Sequence, residues 1–97
     1  MARVQVRYYG ILREIANKKE EKFEIENTSS VLDLIELVSV KNGPRFRNFV
    51  YDEKGKLREG LAFAVDGSSL ERSLLAKTKS KSVTEFVILP PISGGCI

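Results

Sequence analysis

Hydrophobic and polar residues alternate near the amino end of the chain. Over residues 3–9 the apolar positions recur at every second residue: Val4, Val6 and Tyr8. A period of two predicts a strand with one buried face. Residues 22–26 alternate in the same way and predict a second strand, paired with the first as a hairpin. The intervening residues 11–16 predict no more than one turn of helix.

A single apolar stripe marks the main helix. Its members follow the spacing i, i+3, i+4, i+7: Val31, Leu34, Ile35 and Val38. That spacing places them on one face of a helix. Ser30 with Asp33 resembles a capping box, and the Asn-Gly-Pro run at residues 42–44 is typical of a helix end. We therefore expect a helix over residues 30–40, lying across one face of a sheet.

The pattern after this helix predicts a short helical turn and a third strand. Residues 44–50 predict the turn, with three side chains pointing inward: Phe46, Phe49 and Val50. Residues 61–65 predict the strand. It ends at the dipeptide of Asp66 and Gly67, which is a strong turn signal.

Residues 83–89 predict the last strand. In its second half both the odd and the even positions are apolar, so both faces of the strand are apolar, which suits a central position in a sheet. The order of elements then predicts an α+β fold, with a mixed sheet of four or five strands packed on one main helix. We expect the first and last strands to lie side by side in the middle. The predicted domain covers residues 1–92, and residues 93–97 form a flexible tail.

The segment after the last strand is predicted to have a slim end on a stiff, extended base, which we call the stalk. Pro90 and Pro91 fix φ and favour an extended exit from the fold. Gly94 and Gly95 have no Cβ and can lie close to another surface. Residues 90–95 could span roughly 20 Å when extended, enough to enter the channel of another protein. The alternative is an ordinary frayed terminus.

Composition and charge exclude several classes of partner. The chain has 97 residues and a net charge of +3, and its basic residues are spread along it among acidic ones. This spread indicates a solvated surface rather than a nucleic-acid interface. We see no apolar run of membrane-spanning length, no signal-peptide pattern at the start, and a single cysteine that cannot form an internal disulfide. We therefore expect a cytoplasmic protein without nucleic-acid or membrane partners.

The residue inventory argues against catalysis by the chain itself. There is no histidine, so neither a Cys-His pair nor a histidine metal site can form. No phosphate-binding glycine-rich loop occurs, and one cysteine excludes a four-cysteine iron–sulfur cluster. We expect no catalytic residues, no metal site and no bound cofactor.

Four short segments, taken together and in order, carry a family resemblance. They are VRYYGILRE at residues 6–14, VLDLI at 31–35, VDG at 65–67 and PPISGG at 90–95. With them the chain resembles the ubiquitin-like β-grasp sulfur carriers, of the molybdopterin-synthase small-subunit and thiamine-pathway type. The resemblance runs from residue 4 to residue 95 and implies a ubiquitin-like β-grasp fold.

The resemblance implies a carrier that is activated at Gly95, with Gly94 giving clearance beside it. In such carriers an E1-like adenylyltransferase uses ATP and Mg²⁺ to adenylate the terminal glycine carboxylate. The adenylate then becomes a thiocarboxylate that donates sulfur, here in molybdopterin-type cofactor biosynthesis. A molybdopterin-synthase large subunit is the implied second partner, and we expect a monomer in isolation.

Two further hypotheses remain open at this point. The same activation can end in an isopeptide bond to a lysine, which is the role of a ubiquitin-like protein modifier. A pure interaction domain whose tail is never activated is the other.

Cys96 and Ile97 depart from the family pattern, which ends at the second glycine. We interpret them as a processing extension, of the kind that a JAMM-type zinc metalloprotease removes in some carriers. The alternative is that Cys96 acts as a sulfur nucleophile or conjugation handle. A thiol without a positive neighbourhood is not activated, which argues against that role.

The last strand and the stalk form the predicted docking segment. Because the strand is apolar at both parities, one face can cover the helix while the other is offered to a partner. The candidate docking residues are Val87, Leu89, Pro90, Pro91, Ile92 and Ser93. The alternative is a sheet that the chain itself buries on both faces.

Overall fold

The computed structural model describes residues 1–91, and its elements follow the predicted order. The strands are β1 Ala2–Tyr8, β2 Glu20–Ile25, β3 Ala62–Val65, β4 Ser68–Ser69 and β5 Glu85–Leu89. The α-helices are α1 Gly10–Ala16, α2 Val31–Asn42 and α3 Pro44–Val50. Two short 3₁₀ turns, Arg72–Leu74 and Ser80–Ser82, lie between β4 and β5.

The strands form one mixed sheet in the order β2-β1-β5-β3-β4. β1 pairs antiparallel with β2 and parallel with β5, and β5 pairs antiparallel with β3. The predicted α+β fold is therefore confirmed, with five strands, and the first and last strands do lie side by side. β5 is the middle strand, so the chain leaves the sheet from its centre.

All three helices contribute to the core on one face of the sheet. From the sheet the core takes Val4, Val6, Tyr8, Phe23, Ile25, Phe63, Phe86 and Ile88. The whole predicted stripe of α2 is buried against them: Val31, Leu34, Ile35 and Val38. α1 adds Leu12 and Ala16, and α3 adds Phe46 and Val50.

A capping box begins α2, as its sequence indicates. The Ser30 Oγ accepts a hydrogen bond from the backbone N–H of Asp33 at 3.2 Å, and the Ser30 N–H donates to Asp33 Oδ2 at 2.9 Å. Aspartate therefore closes the box in place of the more usual glutamate. Gly43, with φ +92°, separates α2 from α3.

The bounds of most elements differ by one or two residues from the sequence prediction, and three differences have a clear structural cause. α1 has seven residues, about two turns, because Leu12 and Ala16 are both buried on one side of it. β5 begins at Glu85 rather than at residue 83, since the Asp66 carboxylate accepts the backbone N–H groups of Thr84 and Glu85. A fifth strand, β4, forms after the predicted Asp66–Gly67 turn, where both turn residues have positive φ as a tight hairpin requires.

The prediction that Phe49 points inward is wrong. Phe46 and Val50 are fully buried, but 39% of Phe49 is exposed. In a helix, residues four apart lie on one face, so Phe46 and Val50 fill the narrow part of α3 that the core covers. Phe49 lies beside that part, at the edge of the core.

A polar network joins the end of β1 to β2 and α2. The Tyr8 hydroxyl donates to Glu21 Oε1 at 3.2 Å and accepts from the Asn42 side-chain amide at 3.1 Å. Burial raises the pKa of the Tyr8 hydroxyl. Burial also acts to raise the pKa of Glu21, but hydrogen bonds from Lys41 and Lys18 outweigh it and hold that pKa below its usual value. The carboxylate thus stays charged and keeps this end of β1 in place.

No helix within residues 1–91 is both long enough and apolar enough to cross a membrane.

Replacing Leu34 with Ala should destabilise the protein by about 2–5 kcal/mol, because Leu34 is fully buried between α2 and the sheet. Leu37, on the same helix, is 36% exposed, and Leu37→Ala should cost about 1 kcal/mol or less. Chemical denaturation of both variants measures the difference. Equal losses would contradict the packing of α2 described here.

Candidate functional site

The candidate site lies where β5 ends, on the face of the sheet that the helices leave open. Four apolar side chains lie together there and form what we call the apolar patch: Ala62, Ala64, Val87 and Leu89. The register pairs Ala62 with Leu89 and Ala64 with Val87, so each pair lies side by side on one face. Leu89 is 37% exposed although it ends the central strand.

Charged side chains border the apolar patch on the β1 side. The Arg7 guanidinium lies 3.1 Å from a carboxylate oxygen of Glu85 and 3.4 Å from one of Glu20. Arg3 and Glu24 form a further pair at 3.0 Å on the same face, four residues away from Arg7 along β1. Each of these side chains is at least 34% exposed, so the pairs add little stability. They give the patch a polar margin, which is the usual anatomy of a protein–protein interface.

Pro90 and Pro91 pack against two glycines as the chain leaves the sheet. A Cβ on Gly10 would lie 3.1 Å from Pro90 Cγ, and a Cβ on Gly60 would lie 3.0 Å from Pro91 Cβ. Both distances are tighter than nine in ten real Cβ contacts, so a side chain at either glycine would require the proline ring to shift by a few tenths of an ångström. The predicted stalk therefore rests on the domain.

Two clefts flank the prolines. One, of about 550 Å³, joins them to the apolar patch and is lined by Gly60, Ala62, Leu89, Pro90 and Pro91. The other, of about 490 Å³, lies on the opposite side and is lined by Ile11, Asn48, Phe49, Arg58, Pro90 and Pro91. The exposed ring of Phe49 thus belongs to the surroundings of the exit. No signal in the sequence indicates this position, because a phenylalanine in an amphipathic turn is typical of a core.

The structure brings four of the predicted docking residues together at one place: Val87, Leu89, Pro90 and Pro91. The other predicted site residues lie outside the described residues: Ile92, Ser93, Gly94, Gly95, Cys96 and Ile97. Their roles, and the domain boundary at residue 92, stay predictions.

The model of the ThiS family matches residues 6–95, which is nearly the whole chain and includes both residues of the Gly-Gly pair. The chain belongs to the ThiS family. No sequence among the curated proteins matches it significantly.

Solved structures of similar fold accompany this ThiS-family assignment. SAMP1 from Haloferax volcanii has a TM-score of 0.81 at 19% identity, over 96% of this chain and 99% of its own. The small archaeal modifier protein 1 from Methanosarcina acetivorans has a TM-score of 0.78 at 28% identity, over 98% of both chains. A putative molybdopterin converting factor, subunit 1, from Pyrococcus furiosus has a TM-score of 0.68 at 24% identity, over 95% of this chain and all of its own.

These matches confirm the ubiquitin-like β-grasp fold and the sulfur-carrier family that the sequence resembles. The ThiS-family chain is therefore a ubiquitin-like protein of the sulfur-carrier or modifier class.

The two faces of β5 should respond differently to a charge. Leu89→Asp should cost about 1 kcal/mol, the usual span of strand preferences, because the new carboxylate remains in water. Ile88→Asp should unfold the protein, because Ile88 is fully buried and an unpaired charge there cannot be solvated. Circular dichroism and chemical denaturation compare the two. A folded Ile88→Asp variant would show that the assignment of the two faces is wrong.

Proposed function

We propose that this chain is a ubiquitin-like sulfur carrier, activated at Gly95 by an E1-like adenylyltransferase and serving molybdopterin-type cofactor biosynthesis. The observation that carries the proposal is the exit of the chain. It leaves from the middle strand of the sheet, beside an exposed apolar patch, and four residues separate the end of that strand from the Gly-Gly pair that the family model includes. A carrier needs this combination of a firmly held base, a docking surface next to it and a slim end.

The apolar patch supplies the docking surface in this proposal. An E1-like enzyme that covers Val87 and Leu89 removes apolar area from water, and this gives binding free energy without using the tail. The charged margin around Arg7 stays at the solvated rim of such an interface. The tail is then free to enter the active site of the partner.

The chemistry proposed for Gly95 follows from the poor reactivity of a carboxylate. Its oxygen attacks the α-phosphorus of ATP, pyrophosphate leaves with Mg²⁺ assistance in the partner's site, and an acyl-adenylate forms. Sulfur at the oxidation level of sulfide then attacks the acyl carbon, the bond to AMP breaks, and AMP leaves a thiocarboxylate behind. The contribution of this chain is steric: Gly94 and Gly95 carry no side chain that could block a narrow channel.

The residues after Gly95 require a processing step. A peptide bond to Cys96 ties up the carboxyl carbon of Gly95, and amide resonance makes spontaneous release negligible. We propose that a protease of the JAMM zinc type cleaves after Gly95. A molybdopterin-synthase large subunit is the proposed acceptor partner of the charged carrier.

Conjugation to protein lysines is the second candidate function. The observation that favours it is the likeness to the small archaeal modifier protein 1 of Methanosarcina acetivorans, which covers 98% of both chains. Intact mass separates the two roles, because a thiocarboxylate exchanges one oxygen for sulfur, whereas conjugation to lysines yields much larger species. An inert interaction domain shows neither change.

Leu89→Asp should weaken binding to the cognate E1-like enzyme about tenfold or more, since it places a charge in the centre of the proposed contact. Val40→Asp is the matched control: Val40 is 64% exposed but lies on α2, in the layer behind the sheet. Isothermal titration calorimetry on folded samples of the two variants measures their affinities for the enzyme. If Leu89→Asp binds the enzyme as tightly as the unsubstituted chain does, the patch is not the docking surface.

A chain that ends at Gly95 should be adenylated, whereas the chain that continues to Cys96 and Ile97 should not. The reason is that only the shorter chain has a free carboxylate on Gly95, and the β-branched Ile97 is a poor replacement for glycine in the channel. Each protein is given ATP, Mg²⁺ and the activating enzyme, and the products are weighed by mass spectrometry. Equal adenylation with Cys96 and Ile97 still attached would overturn the precursor proposal and return Cys96 to consideration as a working residue.

A further inference from the structure

We propose that Gly10 and Gly60 are positioning residues, which form a seat for the rings of Pro90 and Pro91 and thereby aim the tail. The proposal rests on the proposed activation at Gly95 and adds two residues to it that lie far from that carboxylate in sequence. We call these four residues the Gly–Pro seat.

Close contacts with the proline rings distinguish the glycines of the seat from glycines that only a turn requires. All five glycines within residues 1–91 have positive φ, so conformation alone explains a glycine at each position. Three of them, Gly43, Gly55 and Gly67, have nothing within 4 Å of the position of a Cβ. At Gly60 a Cβ would meet Pro91 Cβ at 3.0 Å and Pro91 Cγ at 3.4 Å. The absence of a side chain at Gly60 therefore also makes room for the proline ring.

The loop that carries Gly60 is firmly held. The Arg72 guanidinium donates to the carbonyl oxygens of Leu57 and Leu61, each at 3.2 Å, and also to that of Arg58. It lies over the Phe63 ring, 5.7 Å from its centroid. These contacts bracket Gly60 on both sides.

A second arginine fixes the same loop to α3. The Arg58 Nε donates to the carbonyl oxygen of Asn48 at 2.7 Å, and the Arg58 N–H donates to that of Val50 at 2.9 Å. On the other side of the seat, Gly10 follows the end of β1, which the network around Tyr8 holds in place. Both halves of the seat thus lie in parts of the domain that hydrogen bonds hold in place.

The rings of the seat set the direction in which the chain continues. Proline fixes its own φ, so a displaced ring carries the following backbone with it. Gly95 lies four residues beyond Pro91, and a small change of direction at the seat is enlarged at that distance. Activation requires the carboxylate to reach attacking distance of ATP, and misplacement by about 1 Å can cost up to 100-fold in rate. The apolar patch, by contrast, would still bind the partner.

The test uses the chain ending at Gly95 with the activating enzyme, and measures adenylation by pyrophosphate exchange. Gly60→Ala should lower kcat about tenfold and change KM less than about twofold. Gly67→Ala is the matched control, because its φ of +87° is close to the +92° of Gly60 while its surroundings are open. It places a side chain on a backbone of similar φ without touching a proline and should leave kcat unchanged.

A double-mutant cycle shows whether the effect passes through Pro91. Pro91→Gly removes the Cβ and Cγ atoms that a side chain at residue 60 would meet, and leaves only Cα at 3.8 Å. It should lower kcat by itself, because the ring no longer rests on the seat. Adding Gly60→Ala to it should cost no more than Gly67→Ala costs in the same background. This variant also tests the seat if Gly60→Ala alone does not fold.

The outcomes distinguish this proposal from the one on which it rests. If the unsubstituted chain ending at Gly95 is not adenylated, the proposed function is wrong, and the positioning role is wrong with it. If that chain is adenylated and Gly60→Ala matches Gly67→Ala in kcat, only the positioning role is overturned. Fully additive effects of Pro91→Gly and Gly60→Ala would overturn it as well. Nuclear Overhauser contacts between the Hα protons of Gly60 and the ring protons of Pro91 check the seat itself.

Discussion

The parallel pairing of β1 with β5 is the interaction on which the rest of the structure depends. It joins the first and last strands of the domain and pairs Val6 with Phe86 and Tyr8 with Ile88 on the buried face. The same β5 is hydrogen-bonded on its other side to β3. Most chain termini fray because little holds them. Here the last strand cannot separate from the sheet without opening the middle of the core, so the chain is held in place up to its point of exit.

The central position of β5 also gives its two faces different roles, one in the core and one as exposed surface. Side chains alternate between the faces of a sheet, so Phe86 and Ile88 pack under the helices while Val87 and Leu89 lie on the open face. Apolar residues at both parities are thus used twice, for stability on one face and as exposed surface on the other. The small side chains of Ala62 and Ala64 complete that surface from the neighbouring strand without covering it.

Much of this arrangement could be predicted from local sequence, because its causes are local. Period two in β1, the stripe of α2, the capping box and the Asp66–Gly67 turn each depend on residues close together in the chain. Phe49 and the Gly–Pro seat could not be found in that way. Whether Phe49 is buried depends on how far the core extends past α3, and the match of Gly60 to Pro91 joins residues 31 positions apart in sequence. The positive φ at each of these turns is enough to explain a glycine there. The second reason, the close contact with a proline ring, therefore cannot be recognised in the sequence.

A tail that enters another protein, as proposed for this chain, faces two opposed requirements. It has to be thin and free of side chains at its end, which glycine provides at the cost of conformational entropy. A free glycine-rich tail has high conformational entropy. It loses that entropy when it is ordered in a channel, and the loss weakens the productive complex. Stiffness at the base reduces the number of directions that the free tail explores before it binds. Two prolines supply stiffness only if their rings are themselves held, and a ring needs a flat, close-fitting surface. Glycine in a loop that arginine side chains fix from both sides meets that need, because a Cβ at this position would press the ring outward by a few tenths of an ångström. In this fold the residues that make the end slim and those that hold its base are therefore of the same type, for different physical reasons.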